Sequence, residues 1–138
     1  MSAMTDYFES GVLNQVFRGI SFSFPSTGIY VGLTSDSPSE GSPDANEISG
    51  NNYSRVHVPT GDWNAPTADG NGQLIDNNTS IDFPTATGGN WGYASGVIIT
   101  DAASGGNVLM KGDLTTAREI LEGDVFRFNA NDLDVKFD

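Results

Sequence analysis

The chain has no cysteine, a single histidine, two lysines and no apolar run longer than about four residues. Without cysteine there is no disulfide, no thiolate nucleophile and no Cys-based zinc or iron–sulfur site. His57 alone cannot form a multi-histidine metal centre within one chain. Lys111 and Lys136 join four arginines against 18 carboxylates, giving a formal net charge of -12. Such a surface repels nucleic-acid phosphates and anionic lipid, so neither nucleic acid nor membrane is an expected partner. The apolar runs are too short to span a bilayer. Residues 1–15 carry neither the basic nor the apolar region of a secretory signal. The three glycosylation sequons at Asn52, Asn77 and Asn78 therefore read as chance in an Asn-rich chain.

What is present suits one domain of 138 residues. A helix is expected at about 5–17. Thr5 is its N-cap, Asp6 and Glu9 sit in the first turn, and Gly19 ends it. Tyr7, Phe8, Val12, Leu13, Val16 and Phe17 fall on one broad apolar face. Thirteen residues are marginal alone, so this helix must pack on its own domain or on a partner. Beyond it the chain reads as short strands at 28–34, 53–58, 81–83, 93–100, 107–114, 118–121, 125–128 and 133–137. A hairpin turn at 122–124 joins 118–121 to 125–128. Gly, Asn, Asp and Pro separate the strands, the pattern of a mainly β, antiparallel sandwich or jelly-roll-like domain. Residues 35–52 and 59–78 read as long polar loops, the first acidic and facing solvent or a neighbouring subunit.

No residue set announces a chemistry. His57 sits between valines and reads as a strand or interface histidine; no G-x-S-x-G elbow accompanies it, and residues 92–96 miss that pattern by one position. The carboxylates fall mostly in turns, not in a paired acid–base arrangement. Residues 69–73 and 129–134 space oxygen ligands closely, but neither matches a calcium-binding loop. Phosphate-cradling glycine motifs are absent. The sequence therefore predicts no catalytic residue, metal or cofactor. Trp63, Trp91 and Tyr93 could stack on a sugar, yet core or inter-subunit packing is the better reading. The candidate interface is Phe8, Val12, Phe17, Trp63, Trp91 and Tyr93.

A string of landmarks carries a resemblance over about residues 5–137. After the helix come Tyr30-Val31-Gly32-Leu33-Thr34, Tyr53-Ser54-Arg55, Trp63 and Ile81-Asp82-Phe83-Pro84. Trp91-Gly92, Asp101-Ala102-Ala103-Ser104-Gly105-Gly106, Leu114 and Gly123-Asp124 follow. In this order the chain resembles small virion proteins of tailed phages, variously labelled tail fibre, head decoration or minor structural proteins. The resemblance implies a non-enzymatic β-sandwich on the virion surface, made in the host cytoplasm and commonly assembled as a homotrimer. The 35–52 loop is longer and more acidic than the resemblance leads one to expect. With no long shaft or second binding module in the sequence, the expected role is capsid decoration or cementing, against the major capsid protein. The alternative is a tail-fibre or baseplate component that contacts a host receptor or glycan. Phe8, Val12 and Phe17 are then expected to seal the sandwich or dock on the shell.

Overall fold

Thr5 starts the helix as the sequence implies: its hydroxyl accepts the Phe8 N–H at 3.3 Å and donates to the Val108 carbonyl at 2.6 Å. Gly19, in the left-handed region at φ 66, closes it. The computed structural model describes residues 3–137. In chain order they form β1 (Ala3–Met4), α1 (Asp6–Arg18), β2 (Gly28–Thr34), β3 (Val56–Pro59) and a 3-10 turn (Thr60–Asp62). Then come β4 (Thr67–Asp69), β5 (Gly72–Asp76), β6 (Ile81–Asp82), β7 (Gly92–Thr100), β8 (Val108–Ile120), β9 (Arg127–Phe128) and β10 (Asp134–Phe137). The fold is mainly β, with antiparallel sheets behind an N-terminal helix.

A five-stranded sheet runs in the order β1-β8-β7-β2-β3; a second of three strands runs β10-β5-β4; β6 and β9 make a two-stranded ribbon. In the large sheet Val31 pairs with Ile99 and Leu33 with Val97, so these four share one face. Val31, Leu33 and Val97 join Ile81, Phe83, Phe126, Phe128 and Leu133 in the main core. There Phe126 stands edge-on to Phe83 at 5.7 Å and to Phe128 at 5.0 Å. A second cluster of Ile99, Leu109, Met110 and Val135 lies beside it.

The opposite face of β2 and β7 is covered by the chain's own acidic loop. A Cβ on Gly32 would lie 2.8 Å from a Glu47 carboxylate oxygen and 2.9 Å from the Tyr53 hydroxyl. A Cβ on Gly96 would run into Thr34 and Pro38. Ile48 donates its N–H to the Leu33 carbonyl at 3.0 Å, and Ile98 is fully buried. Residues 35–52 thus pack on their own sheet over part of their length. Arg55 fastens them. Its guanidinium bonds Glu47 twice at 2.8 Å, Thr100 Oγ1 at 3.1 Å, and the carbonyls of Ala102 and Gly105 at 2.9 Å each. The Glu47 carboxylate also accepts the Tyr53 hydroxyl at 2.7 Å, and burial together with that carboxylate pushes the Tyr53 phenol well above its usual range.

Several boundaries differ from the sequence expectation. The strand expected at 53–58 begins only at Val56, because Tyr53 and Arg55 are drawn into this network. The 59–78 loop contains the β4–β5 hairpin, turned at Gly70 (φ 60). Residues 118–121 and 125–128 do not pair with each other. The turn at 122–124 instead hands the chain from β8 to the ribbon, where Phe83 donates to the Phe126 carbonyl at 2.9 Å. Strand β8 runs through both expected segments, 107–114 and 118–121, but its register with β7 jumps from Asp113 to Arg118. Residues 114–117 bulge out opposite Ser95.

The Arg55 side chain is 3% exposed and that of Glu47 18%, whereas Arg127 and Asp82 are about half exposed. Removing one member strands a buried charge in the first pair and a solvated one in the second. Arg55→Ala should therefore lower unfolding free energy by about 3 kcal/mol. Arg127→Ala should cost under about 1 kcal/mol. Urea unfolding of both variants, monitored by the native tryptophan fluorescence, measures the difference.

Candidate assembly surface

The broad apolar face expected on α1 is divided by the fold into an inner and an outer part. Gly11 is the buried residue of the helix, and the Phe22 ring lies where its Cβ would be. Around that contact Tyr7 stands 5.3 Å and Phe8 6.0 Å from Phe22, and Phe24 packs edge-on to Phe22 at 4.7 Å. Phe137, at the end of β10, reaches Phe8 at 6.1 Å. Phe22 and Phe24, in the segment that follows the helix, are thereby strapped beneath it. Phe8 and Val12 are half-buried on this inner side.

Leu13, Val16 and Phe17 point the other way, 57%, 66% and 78% exposed; Ile20, beyond the Gly19 cap, is 45% exposed. The three helix residues form an apolar ridge. Phe8 lies nine residues from Phe17, half a revolution round the helix at 3.6 residues per turn. On Phe8's side a groove of about 250 Å³ opens between the two larger sheets, lined by Phe8, Phe24, Trp63, Ile75 and Val135 among others, all apolar. A second apolar hollow of about 200 Å³ under Phe137 shares Ile75 and Val135 with it.

The six expected interface residues therefore occupy different settings. Phe17 is on the ridge, Phe8 and Trp63 line the groove, and Val12 lies half-buried on the helix. Tyr93 is 56% exposed near the far end of β7, across from Glu119. Trp91 is a correction: it is a core residue, 9% exposed, with its indole N–H donated to the Asn51 carbonyl at 2.8 Å and its ring edge-on to Tyr53. Buried in this way, it cannot share a sugar-stacking platform with Tyr93. Sequence reading passed over residues 20–25, although the alternation of Phe22 and Phe24 before Pro25 signals a half-buried extended segment.

The polar groups lie mostly elsewhere. Glu40 accepts the Asp6 N–H at 3.2 Å and meets Lys111 at 2.9 Å; the ammonium holds its carboxyl below the usual carboxylate range. Asp134, paired in register with Asp76, is shifted upward by burial and by that neighbouring carboxylate. His57 is exposed on β3, its ring 5.0 Å from that of Tyr30. The two oxygen-rich loops serve as turns. Asp69 pairs with Lys136 at 3.4 Å, and Asp132 accepts the Asn129 N–H at 3.1 Å.

Two substitutions separate core from surface. Trp91→Ala should cost about 3–5 kcal/mol in unfolding free energy. Phe17→Ser, on a side chain already in water, should change it by no more than about 0.5 kcal/mol. A third tests the strap. Alanine usually stabilises a helix relative to glycine by about 1 kcal/mol, but Gly11→Ala should destabilise by about 1–3 kcal/mol because the Phe22 ring must move. Thermal unfolding of the three variants checks all three signs.

Helix, sheets and groove lie within the reach of one comparison. The family model described as Podophage GP4 fiber I protein gp80 matches residues 3–136. No curated protein matches the chain in sequence. The match extends from β1 into the last strand and leaves out only Phe137 of the elements above. The family is one of phage fibre proteins, structural components of the virion. The chain belongs to the Podophage GP4 fiber I protein gp80 family.

Proposed function

We propose that the chain is a structural subunit of a podophage tail fibre, working by assembly and not by catalysis. The observation that carries this reading is the match to a fibre family over residues 3–136. The fold is consistent with such a role. Its central sheet is closed on one face by a clamped loop, and most of its exposed large apolar side chains lie on or beside the helix, Tyr93, Leu121 and Val125 apart. Subunits of that design associate through the apolar side while charged faces stay in water. Three copies per assembly is the stoichiometry we propose.

Capsid decoration, the role first expected, has no comparable support: the matching family is described by its fibre. Antibody labelling of intact particles tests the choice. The chain should be found on the tail apparatus, in a number of copies set by fibre count. Label spread over the head lattice in hundreds of copies would refute the fibre assignment.

A further inference from the structure

We infer that the helix ridge of one copy seats in the groove of a second copy of this chain, a head-to-tail contact that builds the assembly. The inference deepens the fibre reading and rests on it for its biological setting. Four observations lead to it. The first is shape: Leu13, Val16 and Phe17 stand out from one side of the helix, and the groove beside Phe24 and Trp63 is concave. A chain cannot fill its own groove with its own ridge, because Phe8 and Phe17 lie on opposite sides of the same helix.

The second is size. Pockets for small ligands run to roughly 300–1,000 Å³; this groove, at about 250 Å³, suits one or two side chains. The third is area. Tyr7, Leu13, Val16, Phe17, Ile20, Phe24 and Phe137 are all at least 41% exposed. At such exposures each leaves roughly 100 Å² in water, so a ridge of three such side chains sets about 300 Å² of one copy against the groove side of the next, with Phe24 and Phe137 beside it. That is a contact at the small, transient end of the interface range, and a closed ring repeats it.

The fourth is charge. Copies with a net charge of -12 repel each other over most of their surface. Neither the ridge nor the groove lining contains a carboxylate, so they can meet there at least electrostatic cost. A ridge-to-groove contact is heterologous: it uses two different patches, and it closes into a ring when the rotation between copies allows.

The two patches can be disabled separately, which makes the contact testable with full-length protein. Phe17→Glu removes the ridge and keeps the groove; Phe24→Glu does the reverse. Sedimentation velocity at about 100 μM, enough to populate a contact with a Kd in the micromolar range, should show wild type heavier than one chain. Each variant alone should run as a monomer, its association weakened at least ~30-fold as for a central hot spot. An equimolar mixture should give 1:1 dimers, since one intact ridge still meets one intact groove. Thermal midpoints near wild type confirm folding, and Phe24→Ser replaces Phe24→Glu should the latter unfold. A monomeric wild type, a variant that assembles normally, or a mixture that stays monomeric would each overturn the inference. A monomer in solution with label on the fibre removes this contact alone. Assembly in solution with label on the head removes the fibre reading alone.

Discussion

One guanidinium holds the acidic loop against one face of the central sheet. Arg55 binds five acceptor atoms drawn from Glu47, Thr100, Ala102 and Gly105, and so ties the 35–52 loop and the 101–106 turn to the end of β7. Taking a charge out of water costs several kcal/mol unless every donor is satisfied, and here the fork of an arginine matches the two oxygens of a carboxylate. With the loop fixed, Glu47 can receive the Tyr53 hydroxyl, and that hydroxyl in turn accepts the Leu33 N–H at 3.0 Å, just past the stretch of β2 that β3 pairs. Ile98 and Thr100 are completely buried on this side of the sheet. A lysine in place of Arg55 could keep the charge but could not satisfy these acceptors in one plane.

The acid excess belongs to the same economy of turns. Asp outnumbers Glu by 13 to 5, and the structure shows where many of the short side chains go. Asp36 accepts the Ser37 N–H, Asp101 the Asn107 N–H, Asp124 the Leu121 N–H and Asp132 the Asn129 N–H. Each satisfies a backbone donor that no strand neighbour reaches. A β fold with many short connections collects such residues, so its charge records turn count more than any ligand. What the charge does as a whole is restrict where copies of the chain can touch.

How far the sequence could be read follows from which signals are local. The helix with Thr5 and Gly19, and the strands at 28–34 and 93–100, rest on caps and apolar runs within a few residues, and they stand nearly where they were expected. The β4–β5 hairpin was legible in principle from Asp69-Gly70-Asn71-Gly72, but the many Gly, Asn and Asp residues around it masked the short strands. Nonlocal facts were not legible. The break in the β8 register depends on four residues facing Ser95 alone, and the fate of the 122–124 turn depends on β6, about 40 residues earlier in the chain. For Trp91 the sequence left core and interface packing both open, because nothing nearby shows that Asn51 supplies its acceptor. The sidedness of α1 was hidden too: an apolar face wider than the contact it makes looks the same as one fully buried, until Gly11 and Phe22 show which edge is inside.

The two apolar clusters differ in a way that links folding to assembly. The main one has a closed centre: Val31, Leu33, Ala86, Ala94 and Val97 have no exposure at all, and Ile29, Tyr53, Val56, Trp63 and Leu114 lie half-buried at its edge. The second has buried members in Ile99, Leu109, Met110 and Val135, but its margin of Met4, Phe8, Phe22, Ile29, Trp63 and Ile75 is only half-buried, and that margin borders the groove. With hydrophobic residues at 37% of the chain, the domain closes the centre of its main core and leaves the second cluster open to water along the groove. Apolar area removed from water at that side would stabilise the fold at roughly 25 cal/mol per Å². Anything that binds the folded groove and not the unfolded chain therefore raises stability, by an amount that grows with the logarithm of its affinity and concentration. The open cluster thus makes the resistance of this domain to unfolding a function of what is seated against it, while the Arg55 clamp on the far face keeps the sheet in register whether or not the groove is filled.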